Sequence, residues 1–218
     1  MTGPLAQYKR ACVFRGANGG VRAVRGIWIK IKTIHNPRGA KPGRTTRTSM
    51  KLHIGGRQVK EGWKILNIQP VPGVDYIGNI GDLSQFPDRS IDAVYASHVL
   101  EHVHQAAVAP TLAGIYRVLK PKGRLMIAVP DMDVLCRMFL RTDLDMNAHF
   151  EVMRMMFGGQ IDAHDFHFFG WNFEFMRHFL DDAGFIGIER VESFGLFDDN
   201  SELRPLGERI SLNVVAVK

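Results

Sequence analysis

From residue 50 onward the chain alternates short, largely apolar runs with longer segments of helical spacing, and this alternation restricts the possible folds more than any other feature. Met50–Ile54 (MKLHI) reads as a strand that ends in Gly55-Gly56, and Trp63–Ile68 (WKILNI) as a second, closed by the turn chemistry of Gln69-Pro70-Val71-Pro72-Gly73. Asp75–Ile77 begins a short third strand. Ile91–Ala96 (IDAVYA) is apolar on both faces, as a buried parallel strand must be. His98–Leu119 has helical periodicity and stops at Lys120-Pro121-Lys122-Gly123, after which Arg124–Val129 (RLMIAV) forms a fifth strand. Val134–Arg141 reads as a helix, Phe150–Phe175 as a Met- and aromatic-rich capping stretch, and Asn172–Ala183 as a helix ended by Gly184. Two last strands, Ile186–Glu192 and Ile210–Val217, close the chain. The pattern predicts an α/β fold: a Rossmann-like, doubly wound, mostly parallel sheet with an antiparallel C-terminal edge strand.

The first 49 residues follow a different rule. Residues 1–50 hold 11 of the 28 Lys and Arg and none of the 22 Asp and Glu, so the remainder carries 17 basic against 22 acidic groups. The net charge of +6 therefore belongs to a basic, Gly- and Pro-containing segment, residues 1–49, expected to be disordered. One short alternating stretch, Ile27–Lys32, is its only strand candidate. An anionic partner for that segment, RNA or lipid headgroups, stays open. The acidic balance of residues 50–218 argues against nucleic acid as a partner of the body. Two distant cysteines, Cys12 and Cys136, give no disulfide framework or ligand spacing. No apolar run is long enough to span a bilayer and no secretory h-region follows the N-terminus, so a cytoplasmic protein is expected.

Two motifs in order carry a family resemblance. Asp82–Val103, DLSQFPDRSIDAVYASHVLEHV, and Tyr116–Asp131, YRVLKPKGRLMIAVPD, resemble the fourth strand with its following helix and the fifth strand of the class I S-adenosylmethionine (SAM)-dependent methyltransferases, type 11-like. The resemblance implies SAM as cofactor and a binding crevice outside the carboxyl ends of the strands. On this register Gly55 and Gly56 form the cofactor loop, Asn67 takes the place of the ribose-chelating acid, Asn79, Ile80 and Asp82 lie beside the adenine, and Ser97 follows the fourth strand. Departures are plain: the family's (D/E)-x-G-x-G-x-G loop is here His53-Ile54-Gly55-Gly56-Arg57-Gln58, and an amide replaces the acid at Asn67.

The style of LHIGG…GW…NIQP resembles small bacterial enzymes of glycan synthesis, implying O-methylation of a small-molecule or glycan acceptor. Two histidines of the capping stretch DAHDFHFFGWNF, His164 and His167, are candidate general bases for that chemistry. Two alternatives stand beside it. The altered loop allows a domain that keeps the fold but serves as a binding or scaffold module. His98-Val99-Leu100-Glu101-His102 spells the H-x-x-E-H of a zinc hydrolase, with Glu174 as third ligand, if His98 and His102 share a helical face. The methyltransferase run accounts for those residues without a metal, so no metal ligands are assigned.

Overall fold

The computed structural model describes residues 49–218. The strand candidate Ile27–Lys32 and the assignment of residues 1–49, Ser49 apart, lie outside the described residues. Seven strands form one sheet: β1 (Lys51–Ile54), β2 (Trp63–Asn67), β3 (Tyr76–Ile77), β4 (Ile91–Ser97), β5 (Leu119–Pro130), β6 (Ile186–Arg190) and β7 (Ser211–Val217). Their order is β3-β2-β1-β4-β5-β7-β6. β3 through β5 run parallel, and β7 enters antiparallel to both β5 and β6. This is the mostly parallel, doubly wound sheet that the sequence predicts, except that the antiparallel C-terminal strand β7 is inserted between β5 and β6 and the edge is β6. The four helices are α1 (Gln105–Val118), α2 (Met132–Phe139), α3 (Met146–Phe157) and α4 (Phe173–Asp182).

The main core packs α1 and α4 on one face of the sheet. Leu112 and Ile115 of α1, Met176 and Leu180 of α4, and Leu52, Val94, Ile127 and Val214 of the strands are fully or almost fully buried there. Each such side chain contributes about 1.5–3 kcal/mol by leaving water, so the sequence's helical spacing and alternation are held by the same contacts. The opposite face is thinner: Trp63, Ala93, Tyr95, Met126 and Phe197 form a small aromatic layer. Its cover is loop, because only eight residues join the parallel strands β1 and β2, too few for the usual crossover helix. A third cluster packs α2 against α3 through Val134, Leu135, Met138 and Val152, with Ile210. Among the described residues no helix is long and apolar enough to cross a membrane.

Two elements differ from the sequence reading. The continuous helix expected over His98–Leu119 is broken: His98 has φ +53°, Leu100–His102 is a single 3-10 turn, and α1 starts only at Gln105. The β4–β5 pairing supplies the reason, because the His98 backbone N–H donates to Ala128 O at 2.8 Å and holds the chain on the sheet past the end of β4. Where the sequence reading assigned no element before the DAHDFHFFGWNF loop, α3 forms, with Asp145 Oδ1 accepting from Ala148 N at 2.8 Å as N-cap and Gly158 (φ +86°) as its stop.

Candidate functional site

The parallel registers set Ile54 beside Leu66 and Ala96, and Asn67 beside Ile77. The chain therefore leaves β1, β2, β3 and β4 along one rim, and every cofactor residue nominated from the sequence lies on or next to it. Gly55 has φ +76°, and a Cβ there would stand 2.5 Å from Val99 Cγ2, so the loop after β1 and the turn after β4 touch through the missing side chain. Gly56 leaves room in the same way for the imidazole of His53.

Asn67 is buried and faces the loop. Its Nδ2 donates to Gly55 O (3.1 Å) and Gly56 O (2.9 Å), while its Oδ1 accepts from Gln69 N (2.9 Å). An aspartate could not donate these bonds, so the amide that departs from the family pattern fits a structural task here. Ile80 is buried in the main core. Asn79 and Asp82 are exposed; Asn79 Oδ1 accepts from Gly81 N (2.8 Å), and Asp82 Oδ1 accepts from Ser84 N (2.9 Å). Hydrogen bonds from the Ser84 side chain and backbone hold the Asp82 carboxyl below the usual carboxylate range. Ser97 Oγ donates to Asp199 Oδ1 (3.1 Å), and Tyr95 Oη donates to Asp199 Oδ2 (2.8 Å). Gly55, Asn79, Asp82 and Ser97 thus stay reachable from the rim, whereas Gly56, Asn67 and Ile80 face inward.

Immediately past Ser97 the chemistry changes. A cleft of about 310 Å³ is lined by His98, Glu101, His102, Arg154, Asp165 and His167, among others. Glu101 is 1% exposed and neither carboxylate oxygen accepts a well-formed hydrogen bond; His98 Nδ1 stands 3.3 Å from Oε1. Burial pushes the Glu101 carboxyl up, but the contact with His98 and the charges of His98, His102 and His167 outweigh it and hold the group below its usual range. Burial also lowers the pKa of His167, against the pull of Glu101, and its Nδ1 has no hydrogen-bond partner.

The loop that brings His167 here is fastened at several points. The Phe168 and Phe169 N–H groups converge on Glu101 O (2.8 and 3.3 Å), His102 Nδ1 meets Phe166 O (3.0 Å), and His167 N donates to Phe157 O (3.1 Å). At Gly158 a Cβ would run into the Asp165 carbonyl. Of the two histidines nominated from the sequence, only His167 lines the cleft. His164 is exposed, with its backbone N–H held by Asp162 Oδ1 at 2.7 Å. The zinc-hydrolase picture is corrected: with His98 left-handed and only a 3-10 turn behind it, His98 and His102 share no helical face. Glu174 stands exposed on the first turn of α4 and does not line the cleft.

A seven-stranded sheet in the order β3-β2-β1-β4-β5-β7-β6, with its polar residues gathered on the carboxyl rim, defines the class I methyltransferase fold. Residues 46–127 match the family model described as a methyltransferase domain, so sequence and strand order agree on that class. No curated protein sequence matches the chain. Among solved structures, the chain is similar to a SAM-dependent methyltransferase from Thermotoga maritima, described as a possible histamine N-methyltransferase. The two are 19% identical over 78% of this chain and 82% of that one, with a TM-score of 0.50. It is also similar to the 1,6-didemethyltoxoflavin-N1-methyltransferase of Burkholderia thailandensis, solved with 1,6-didemethyltoxoflavin and S-adenosylhomocysteine. Identity there is 17% over 79% of this chain and 72% of that one, with a TM-score of 0.51. At these identities the likeness is one of fold.

Sequence reasoning passed over Ser211, Arg154 and Asp199, and named Glu101 only within the zinc-hydrolase motif. Glu101 sits inside a motif that the family resemblance had already explained, and its burial has no signal in sequence. Asp199 and Ser211 come from the far end of the chain, about a hundred residues after the strand they touch.

Proposed function

We propose that the domain transfers a methyl group from SAM to an oxygen of a small-molecule or glycan intermediate. The observation that carries this reading is the polar cleft of His98, Glu101, His102 and His167, opening where β4 leaves the rim at Ser97. SAM, when bound, supplies an electrophilic methyl group on a sulfonium leaving group. The chain's own work is placement and exclusion of water. Backbone at Gly55 and the Ser97 hydroxyl stand at the centre of the rim, and Asn79 and Asp82 offer polar contacts to the nucleoside end. On the acceptor side, burial lowers the pKa of His167, so the ring is neutral at neutral pH and can act as base for a hydroxyl proton.

Titration calorimetry of the full chain with SAM and with S-adenosylhomocysteine tests the donor half. One-to-one binding, weakened by Asp82→Ala, is expected. Absence of heat with either ligand at millimolar concentration overturns the reading.

One observation favours a second reading, a domain that binds without transferring: Asn67 is fully engaged with the glycine loop and leaves no group at the end of β2 for a ribose. S-adenosylhomocysteine binding without any methyl release over a panel of hydroxylated acceptors would favour it.

A further inference from the structure

The hydrogen positions around Glu101 can be worked out from its neighbours. Ser211 Oγ lies 2.7 Å from Asn200 O, a carbonyl that can only accept, so the hydroxyl proton goes there. Ser211 Oγ must then accept from His98 Nε2, 2.8 Å away, so a neutral His98 ring turns a lone pair on Nδ1 toward Glu101 Oε1, 3.3 Å away, and only a doubly protonated ring donates there. His102 Nδ1 meets the Phe166 carbonyl, so in the neutral ring its proton lies on Nδ1 and its Nε2 is bare. Both Glu101 oxygens and His167 Nδ1 are buried without a hydrogen-bond partner, and one ligand atom from each of Glu101, His102 and His167 gathers at this place. Unmatched lone pairs at this density are costly unless a cation lies between them.

We propose that Glu101, His102 and His167 bind a divalent first-row metal ion, with His98 Nδ1 as a further ligand or as the group that orients the carboxylate. The ligand atoms of the three lie within 4.8 Å of one another. Around a metal with bonds of about 2.0–2.2 Å, such atoms stand roughly 3–3.5 Å apart, so rotation of the side chains by about an ångström closes the set. Two imidazoles and a carboxylate with open positions suit zinc, iron(II), manganese or cobalt and not calcium. The supporting contacts are those that metal-binding histidines use: His102 is oriented by a backbone carbonyl, and the His167 loop is pinned to Glu101 by two backbone hydrogen bonds.

The three residues line the cleft, and an alcohol or phenol oxygen bound there to the ion would lose its proton more readily. Only that last consequence rests on the methyltransferase reading. With the ion in place His167 is a ligand, and acidification of the acceptor replaces its role as base.

The test uses full-length protein dialysed against chelator and titrated with cobalt(II), followed by visible d–d absorption and by calorimetry. One equivalent per chain is expected. Removing a contact around a ligand costs about 10–100-fold in affinity, so losing a ligand outright should cost at least ~10-fold. Glu101→Gln and His167→Ala should each show that loss, while His164→Ala, an exposed histidine on the same loop, should bind as the parent does. Far-UV circular dichroism and melting in chelator accompany each variant. If Glu101→Gln fails to fold, His167→Ala and His102→Ala decide. No saturable cobalt binding by the parent, or binding that survives loss of His102 and of His167, overturns the proposal. A chain that binds cobalt but not S-adenosylhomocysteine refutes the methyltransferase reading alone, and the converse result refutes the metal site alone.

Discussion

The rim after β1 and β2 and the cleft after β4 are neighbours on one edge of the sheet, yet they treat polar atoms in opposite ways. Around Gly55, Gly56 and Asn67 each side-chain group of the buried asparagine is matched to a backbone partner, two accepting and one donating. Around Glu101 the buried oxygens have only the long contact with His98 Nδ1, and Nδ1 of His167 has no hydrogen-bond partner. A matched buried amide adds modest stability and rigidifies its loop; an unmatched buried carboxylate lowers stability unless something else supplies the missing charge. The first region is thus explained by folding alone. The second is where the proposed metal ion would supply what folding leaves unmatched.

The largest effect that can test this contrast is at Gly158. With φ +86° and the Asp165 carbonyl against its missing Cβ, Gly158→Val should displace the loop that carries His167. A loss of about 4 kcal/mol in chemical denaturation is expected, together with loss of cobalt binding. Retention of both would mean that the cleft does not depend on the loop's fastening.

Next comes pH. His53 is buried against Tyr95 and Phe197 with Nδ1 unpartnered, and burial lowers its pKa to about 4, against the pull of Asp199. Its folded value lies below the unfolded one of 6.5, so the unfolded chain takes up the proton first as pH falls. Stability from this group is complete above about pH 6.5, declines between there and about pH 4, and over that interval the loss is roughly 3 kcal/mol. His53→Phe should flatten that slope in melts from pH 7 to pH 4 while leaving stability at pH 7 unchanged or higher.

Restoring the family's acid by Asn67→Asp sharpens the comparison directly. A carboxylate cannot donate to Gly55 O and Gly56 O, so a loss of about 1–3 kcal/mol is expected. If S-adenosylhomocysteine instead binds more tightly and the melting point holds, the asparagine is a weakened ribose ligand and not a strut. The smallest effect is at Asp199→Asn, which exchanges charge-assisted hydrogen bonds from Ser97 and Tyr95 for neutral ones at a cost of about 1 kcal/mol, without altering cobalt affinity.

The strands were legible because they rest on periodicity. IDAVYA is apolar on both faces and lies at the sheet centre, Asn172 caps α4 as its position before an amphipathic run implies, and Gly184 ends it with φ +95°. The break after His98 was not legible. Local spacing from His98 to Leu119 favours one helix, and only the hydrogen bond from His98 N to Ala128 O on the neighbouring strand stops it. The helix α3 carried readable signals, Asp145 before it and Gly158-Gly159 after it, which its Met- and Phe-rich composition obscured.

By itself, then, the sequence determined the layered α/β architecture and the rim along which the chain's glycines and amides fall, since both follow from patterns within about twenty residues. Tertiary structure alone decided which polar groups are satisfied. Whether Asn67 is a strut, whether Glu101 is buried without a donor, and whether His167 rather than His164 reaches it depend on partners tens to more than a hundred residues away. Burial and hydrogen-bond matching are properties of the packed molecule, and no local spacing encodes them.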